Sequence, residues 1–153
     1  MNDTTLPIKN STRKSGSKPT QARKVGLRKG FSLGDWIQLK NASKDLAQRK
    51  GKPLRNISIE EVNRHNSEHD SWIILRGKVY NLTPYLHYHP GGISIFKNFY
   101  GKDCTEQFDK YHRWVNIDAL IGNLLLGFAV DEKRRLKSLD EFPIPLPRRP
   151  TAM

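Results

Sequence analysis

Residues 89–92 read His-Pro-Gly-Gly, and no other stretch of this 153-residue chain limits its fold so tightly. Proline cannot continue a helix, and it pushes the residue before it out of helical backbone. Paired glycines lose more chain entropy on folding than other residues, so they are tolerated where backbone turns sharply or passes close to something. Before the motif, Thr83-Pro84 reads as a helix start, with a cap residue and then a first-turn proline. That helix, Pro84 to His87, is stopped by Pro90-Gly91-Gly92.

A second histidine, His112, stands beside Tyr111 and Trp114 at the end of a following helix. Asp103 with Glu106 three residues later opens that helix as a capping box, and it is expected to run through Tyr111. Large apolar or aromatic groups surround both histidines in sequence: Leu75, Leu82, Tyr85, Leu86, Ile95, Phe96, Phe108, Tyr111, Leu120 and Leu124. A histidine taken alone is more often a satisfied core or surface residue. Two of them in this setting, with a glycine pair that lets backbone meet a flat macrocycle edge, ask for a shared cause.

The other elements follow from pattern. Leu33, Trp36 and Ile37 share a helical face, predicting a short helix that docks them on the domain. Lys44 to Lys52 is polar and linker-like. Ser58 with Glu61 is a capping box opening a helix that ends near His65. Ser71–Arg76 and Lys78–Leu82 read as strands joined at Gly77. Apolar Ile93, Ile95, Phe96 and Phe99 predict another short helix. Asn116 caps a last helix through Leu120, and Leu124 to Val130 reads as a closing strand. Many short helices around a small mixed sheet, without βαβ alternation, give an α+β fold.

The net charge of +12 is unevenly spread. Residues 1–53 hold 13 Lys or Arg against three Asp, residues 54–130 balance at eight each, and residues 131–153 hold six against four. Residues 1–24 read as a disordered basic arm, 25–53 as an ordered extension and linker, 54–130 as the compact domain, and 131–153 as a Pro/Arg-rich tail. Pro143, Pro145, Pro147 and Pro150 predict an extended tail after Asp131. The single cysteine, Cys104, excludes an internal disulfide and a cysteine-rich zinc site. No apolar run approaches the roughly 20 residues that cross a bilayer, and no leader is visible at the start, so a soluble protein is expected. His65 and His69 are expected on the surface, and His87 on a different face from His89.

Tyr88-His89-Pro90-Gly91-Gly92, preceded by Trp72-Ile73-Ile74-Leu75 and Val79-Tyr80-Asn81-Leu82-Thr83 and followed by Phe108 and His112, resembles the cytochrome b5 haem-binding domain. The likeness covers about residues 54–130. It implies haem b as cofactor, with His89 and His112 as axial iron ligands. It implies a pocket lined by Leu75, Leu82, Tyr85, Ile95, Phe96, Phe108, Leu120 and Leu124, with Gly91, Gly92, Tyr111 and Arg113 beside it. The run Phe108 to Asn116, with Lys29 to Ile37 upstream, is similar to the haem part of soluble fusions of cytochrome b5 with a flavin reductase. No flavin or nicotinamide module is expected after residue 130, so the chain resembles that haem part standing alone, as in small fungal proteins. Two departures stand out. Microsomal members usually have Gly-His-Ser at the second ligand, where this chain has Tyr111-His112-Arg113, and the ligand spacing is one residue shorter. Arg113 then stands where it can pair with a haem propionate.

The function so implied is one-electron carriage rather than enzymatic turnover. The partners are an NAD(P)H-dependent flavin reductase and an acceptor oxidase, and the expected state is a cytoplasmic monomer, with a place at the periphery of the endoplasmic reticulum or in the nucleus as the alternatives. Each ligand histidine is expected to give its other ring N–H to a backbone carbonyl. The competing reading is a haem or sterol binding module with a regulatory or scaffolding role, its basic arm on anionic membrane or nucleic acid.

Overall fold

Arg76 and Gly77 set the geometry of the sheet. Both have positive φ, 50° and 77°, which is what a two-residue hairpin turn matching the strands' own twist requires. Glycine adopts this without steric cost, whereas Arg76 is held there from outside. Its amide donates to Thr105 Oγ1 at 2.8 Å and its guanidinium Nε to Asp109 Oδ1 at 3.1 Å. The turn joins β3 (Asp70–Leu75) to β4 (Lys78–Asn81), antiparallel, with Ile73 opposite Tyr80 and Ile74 opposite Val79. The structure, a computed structural model, describes residues 26–141.

Four further strands complete the sheet. Strand β6 (Leu125–Val130) lies antiparallel to β4, with a bulge between Val79 and Tyr80. Strand β1 (Arg55–Ser58) runs parallel to β6 at the edge. On the other side of β3 lie β2 (Asn66–Ser67), antiparallel, and β5 (Lys102–Asp103), parallel. The order is β1-β6-β4-β3-β2, with β5 paired to β3. Helices α1 (Leu33–Ala42), α2 (Ile59–Arg64), α3 (Thr105–His112), α4 (Ile117–Ile121) and α5 (Glu132–Glu141) surround it, with 3-10 turns at Thr83–Tyr88, Ile93–Asn98 and Gly122–Leu124. This is the expected α+β class.

Period-two alternation divides the core between the two faces. Ile73, Leu75, Tyr80 and Leu82 point to one cluster, shared with Trp36, Tyr85, Leu86, Ile117, Ile121 and Leu124. Ile74 and Val79 point to the other, with Ala47, Ile57, Val62 and Leu126. The first cluster is the wall on which the two histidines stand.

Several local expectations are corrected. Helix α1 forms, but its inward face is Trp36, Leu39 and Lys40. Leu33 and Ile37 are 55% and 46% exposed. Ile37 is 100° around the helix from Trp36, so burying the indole turns it outward. The real cap of α1 is a complete capping box that the sequence reading overlooked: Ser32 Oγ accepts from Asp35 N–H, and Asp35 accepts from Ser32 N–H at 2.8 Å. At α2 only half the box forms. Ser58 Oγ accepts from Glu61 N–H at 3.1 Å, while the Glu61 carboxylate pairs with the Arg55 guanidinium. Helix α3 starts at Thr105, not Asp103. Asp103 accepts from both the amide and the hydroxyl of Thr105, and the helix reaches His112. Thr83 is not a cap either, since its hydroxyl accepts from Ser71 N–H at 2.9 Å.

The segment 44–52 is no linker. The Asp45 carboxylate accepts from the amides of Arg49 and Lys50 at 2.9 and 2.7 Å. Gln48, Lys50 and Gly51 take left-handed backbone. Ala47 is buried in the second cluster, and its carbonyl accepts from Asn81 Nδ2 at 3.2 Å. After Asp131 the chain is helical rather than extended: Asp131 Oδ1 accepts from Arg134 N–H at 3.1 Å, and α5 follows. The basic arm 1–24 and Pro143, Pro145, Pro147 and Pro150 lie outside the described residues.

Candidate functional site

His89 ends the 83–88 turn in extended backbone, as the following Pro90 requires. Gly92 N–H donates to the His89 carbonyl at 2.9 Å and closes the loop. Gly92 sits at φ 81°, ψ 161°, a region that essentially only glycine enters. Gly91 is needed for a different reason. A Cβ there would meet His89 Cε1 at 2.7 Å and Ile95 Cδ1 at 3.0 Å. The absent side chain therefore makes room for the His89 ring itself.

His112 is the last residue of α3, one turn after Phe108, and Val115 N–H donates to its carbonyl at 2.8 Å. Two elements far apart in sequence thus deliver two imidazoles to one cleft. Their ring centroids lie 5.9 Å apart with planes at 85°. A first-row metal held by one nitrogen of each ring at about 2 Å puts the centroids about 6 Å apart, so the pair fits a metal between them. Among the described residues no group of three or more His, Cys, Asp or Glu gathers to hold a bare ion. Two opposed imidazoles are what the chain offers at this cleft.

The surroundings are apolar. Phe96 meets His89 edge-on at 4.7 Å, Tyr85 meets it at 6.2 Å, and Phe108 lies 5.6 Å from His112. Leu75, Leu82, Tyr85 and Leu124 are buried, with Phe96, Phe108 and Leu120 packed half-buried against them. Ile95 and Tyr111 are 47% and 57% exposed, Tyr111 lying under the Lys110 ammonium at 5.2 Å. Arg113 is exposed at the end of α3, and Trp114 is exposed beside it. Burial lowers the His89 pKa below the usual imidazole value, the Gly92 backbone raises it, and His112 lowers it further. The His89 ring meets two backbone groups. Gly91 N–H reaches Nδ1 at 3.2 Å when that nitrogen is bare, and the Gly92 backbone partners the ring when it carries a proton. The His112 ring finds no such backbone partner among the described residues.

The remaining candidates are structural. His65 is not a free surface group: it stacks on Trp72 at 3.5 Å and bonds Asp70 at 2.7 Å. His87 is exposed, 5.8 Å from the Phe31 ring. Burial pushes the Cys104 thiol up to about 12, which leaves it unreactive. Two surface concavities of about 330 and 310 Å³, one at Lys44, Arg49 and Lys52 and one at Arg76, Tyr80 and Asn116, include neither imidazole. The residue that the sequence reading undervalued is Trp36. It packs on Tyr85 and Tyr88 and donates to the Leu120 carbonyl at 2.9 Å.

Comparison with known proteins places the chain in a family. The profile of the Cytochrome b5-like Heme/Steroid binding domain matches residues 58–130. Cytochrome b5 reductase 4 of Homo sapiens is 46% identical over 118 residues, 77% of this chain and 22% of that protein. That match is longer than everything from Ser58 to the C-terminus, so it takes in part of the N-terminal extension. The chain spans about a fifth of the length of such reductase relatives. An uncharacterized heme-binding protein of Schizosaccharomyces pombe is 35% identical over 133 residues, 84% of this chain and 90% of that protein. A solved cytochrome b5 of Ostreococcus tauri virus 2 is 38% identical, covering 47% of this chain and 81% of its own, with a TM-score of 0.44. Domains of this type bind haem b and serve as electron-transfer modules. No helix among the described residues is long and apolar enough to cross a membrane. By sequence across the domain and nearly the full length of the fission-yeast relative, the chain belongs to the cytochrome b5 family.

Proposed function

We propose that the chain is a one-electron carrier that holds haem b between the imidazoles of His89 and His112. The observation that supports it most is the facing of these two rings across an apolar cleft, with 5.9 Å between centroids. Bound there, haem supplies reversible one-electron exchange at its iron.

The chain's own part is coordination, orientation and exclusion of water. A ligand imidazole must be neutral, and burial of His89 favours that form. The Gly91 and Gly92 backbone meets the ring and helps to orient it. Leu75, Leu82, Tyr85, Phe96, Phe108, Leu120 and Leu124 line the walls and keep the dielectric low. Ile95 and Tyr111 stand at the rim, with Gly91 and Gly92 as the loop that lets the ring in. Arg113, directly after the second ligand, offers a propionate a charge-assisted partner. With both histidines engaged as ligands, the group would supply electron exchange rather than oxygen chemistry.

In this proposal the donor is an NAD(P)H-dependent flavin reductase, the acceptor is an oxidase, and the chain works as a cytoplasmic monomer. The similarity to proteins named cytochrome b5 reductase 4 supports the choice of donor. The test is anaerobic mixing of the haem-loaded chain with NADH and a cytochrome b5 reductase, followed in the visible bands. The expected outcome is reduction within the mixing experiment and return on adding ferricyanide. A loaded chain that stays oxidised, or that binds carbon monoxide readily once reduced, contradicts the proposal.

A further inference from the structure

We propose that α1, which precedes the family domain, is a fixed part of the cleft's closed end, and that Trp36 is the residue through which it positions His89. This rests on the reading that His89 and His112 hold haem.

Helix α4 is the first element that α1 meets. Its last carbonyls have no partner within so short a helix, and buried carbonyls left unpaired are costly. Two donors from α1 meet them. Trp36 Nε1 donates to the Leu120 carbonyl at 2.9 Å, and the Lys40 ammonium donates to the Ala119 carbonyl. A cation at a helix C-terminus also complements the helix dipole. In return Asn123 Nδ2 reaches the Lys40 carbonyl at 3.4 Å. One side of α1 is thereby tied to the wall that follows His112 in the chain.

The same indole is tied to the His89 wall. Trp36 is fully buried, edge-on to Tyr85 at 5.0 Å and tilted against Tyr88 at 5.3 Å. Tyr85 in turn meets the His89 ring at 6.2 Å. Phe31, just before α1, packs on Tyr88 at 5.0 Å. Trp36 thus touches the turn carrying His89 and also bonds the helix carrying Leu120. Removing it leaves a void behind Tyr85, an unpaired carbonyl, and a path for water toward His89. Water near the iron favours the more positive oxidised state, so the potential falls, and a looser ligand lets haem go faster.

The test uses the full chain loaded with haem. It measures haem transfer to excess apomyoglobin and the midpoint potential for wild type, Trp36→Ala, Trp36→Phe and Ile37→Ala. Loss of an outer-shell partner typically costs roughly 10- to 100-fold in affinity, so haem loss from Trp36→Ala should quicken by about that factor. Its potential should fall, and Trp36→Phe, which refills the void without the N–H, should recover part of both changes. Ile37→Ala, on the outward face of the same helix, should match wild type. If Trp36→Ala does not fold, Trp36→Phe decides: the proposal requires faster haem loss and a lower potential than wild type. Wild-type rates and potentials in the Trp36 variants, or equal effects from Ile37→Ala, overturn it. A wild-type chain that takes up no haem defeats the underlying reading instead.

Discussion

At the scale of single residues, Gly91 is where the sequence and the structure give different reasons for the same amino acid. The glycine pair is legible as a place of close approach, but its nearest neighbour at 91 is the chain's own His89 ring. Gly91→Ala should therefore leave the fold intact and swing that ring. A fall in haem affinity of roughly 10- to 100-fold is expected, the usual cost of disturbing a ligand's support, and a hemin titration checks it. An affinity equal to wild type would show that the ring has room to spare. His89 also gives a pH dependence. Burial, the largest cause, holds its folded pKa below the imidazole value of 6.5. As pH falls through 6.5 the unfolded chain takes up a proton that the folded chain resists, so stability is lost on the acid side and none is lost above it. Urea midpoints of the haem-free chain should be lower at about pH 5.5 than at about pH 7.5, with a smaller difference in His89→Phe. The two histidines themselves were legible because motif and spacing coincide. The Trp36 bond to Leu120 was not, since nothing local couples residues 84 positions apart.

At the scale of elements, legibility followed length and pattern. Strands β3, β4 and β6 were readable because alternation and the Arg76-Gly77 turn act locally. Strands β1, β2 and β5 are two to four residues long and exist only because a partner pairs them. The β1–β6 pair depends on Gly127, which lies opposite Arg55. A Cβ at 127 would overlap the Arg55 carbonyl oxygen, which is backbone and cannot step aside. Gly127→Ala should therefore cost about 1–3 kcal/mol of stability, the range of a steric clash in a packed core. A denaturant titration tests this, and a cost under about 0.5 kcal/mol, normal for an open surface site, would mean that β1 is not held as described. The caps show the complementary failure. Ser58, Asp103 and Thr83 all carry cap-like spacing, but Glu61 is drawn to Arg55, Asp103 to Thr105, and Thr83 to the Ser71 amide. Cap residues bond whichever partner is nearest in space, and spacing alone does not reveal it.

At the scale of the whole molecule, the charge-balanced stretch 54–130 holds the sheet, both histidines and most of both core clusters. The extension before it is part of the fold, because Trp36, Leu39, Leu46 and Ala47 all join those clusters. Composition hid this: residues 44–52 are polar, yet one carboxylate, Asp45, organises their backbone. All of these parts converge on a cleft that presents one imidazole from each side. The most direct measurement is the absorption spectrum of the hemin-reconstituted chain, oxidised and dithionite-reduced, beside His89→Ala and His112→Ala. A six-coordinate low-spin b-type spectrum is expected in the parent, and its loss in each variant. A low-spin spectrum that survives unchanged in His112→Ala would contradict it.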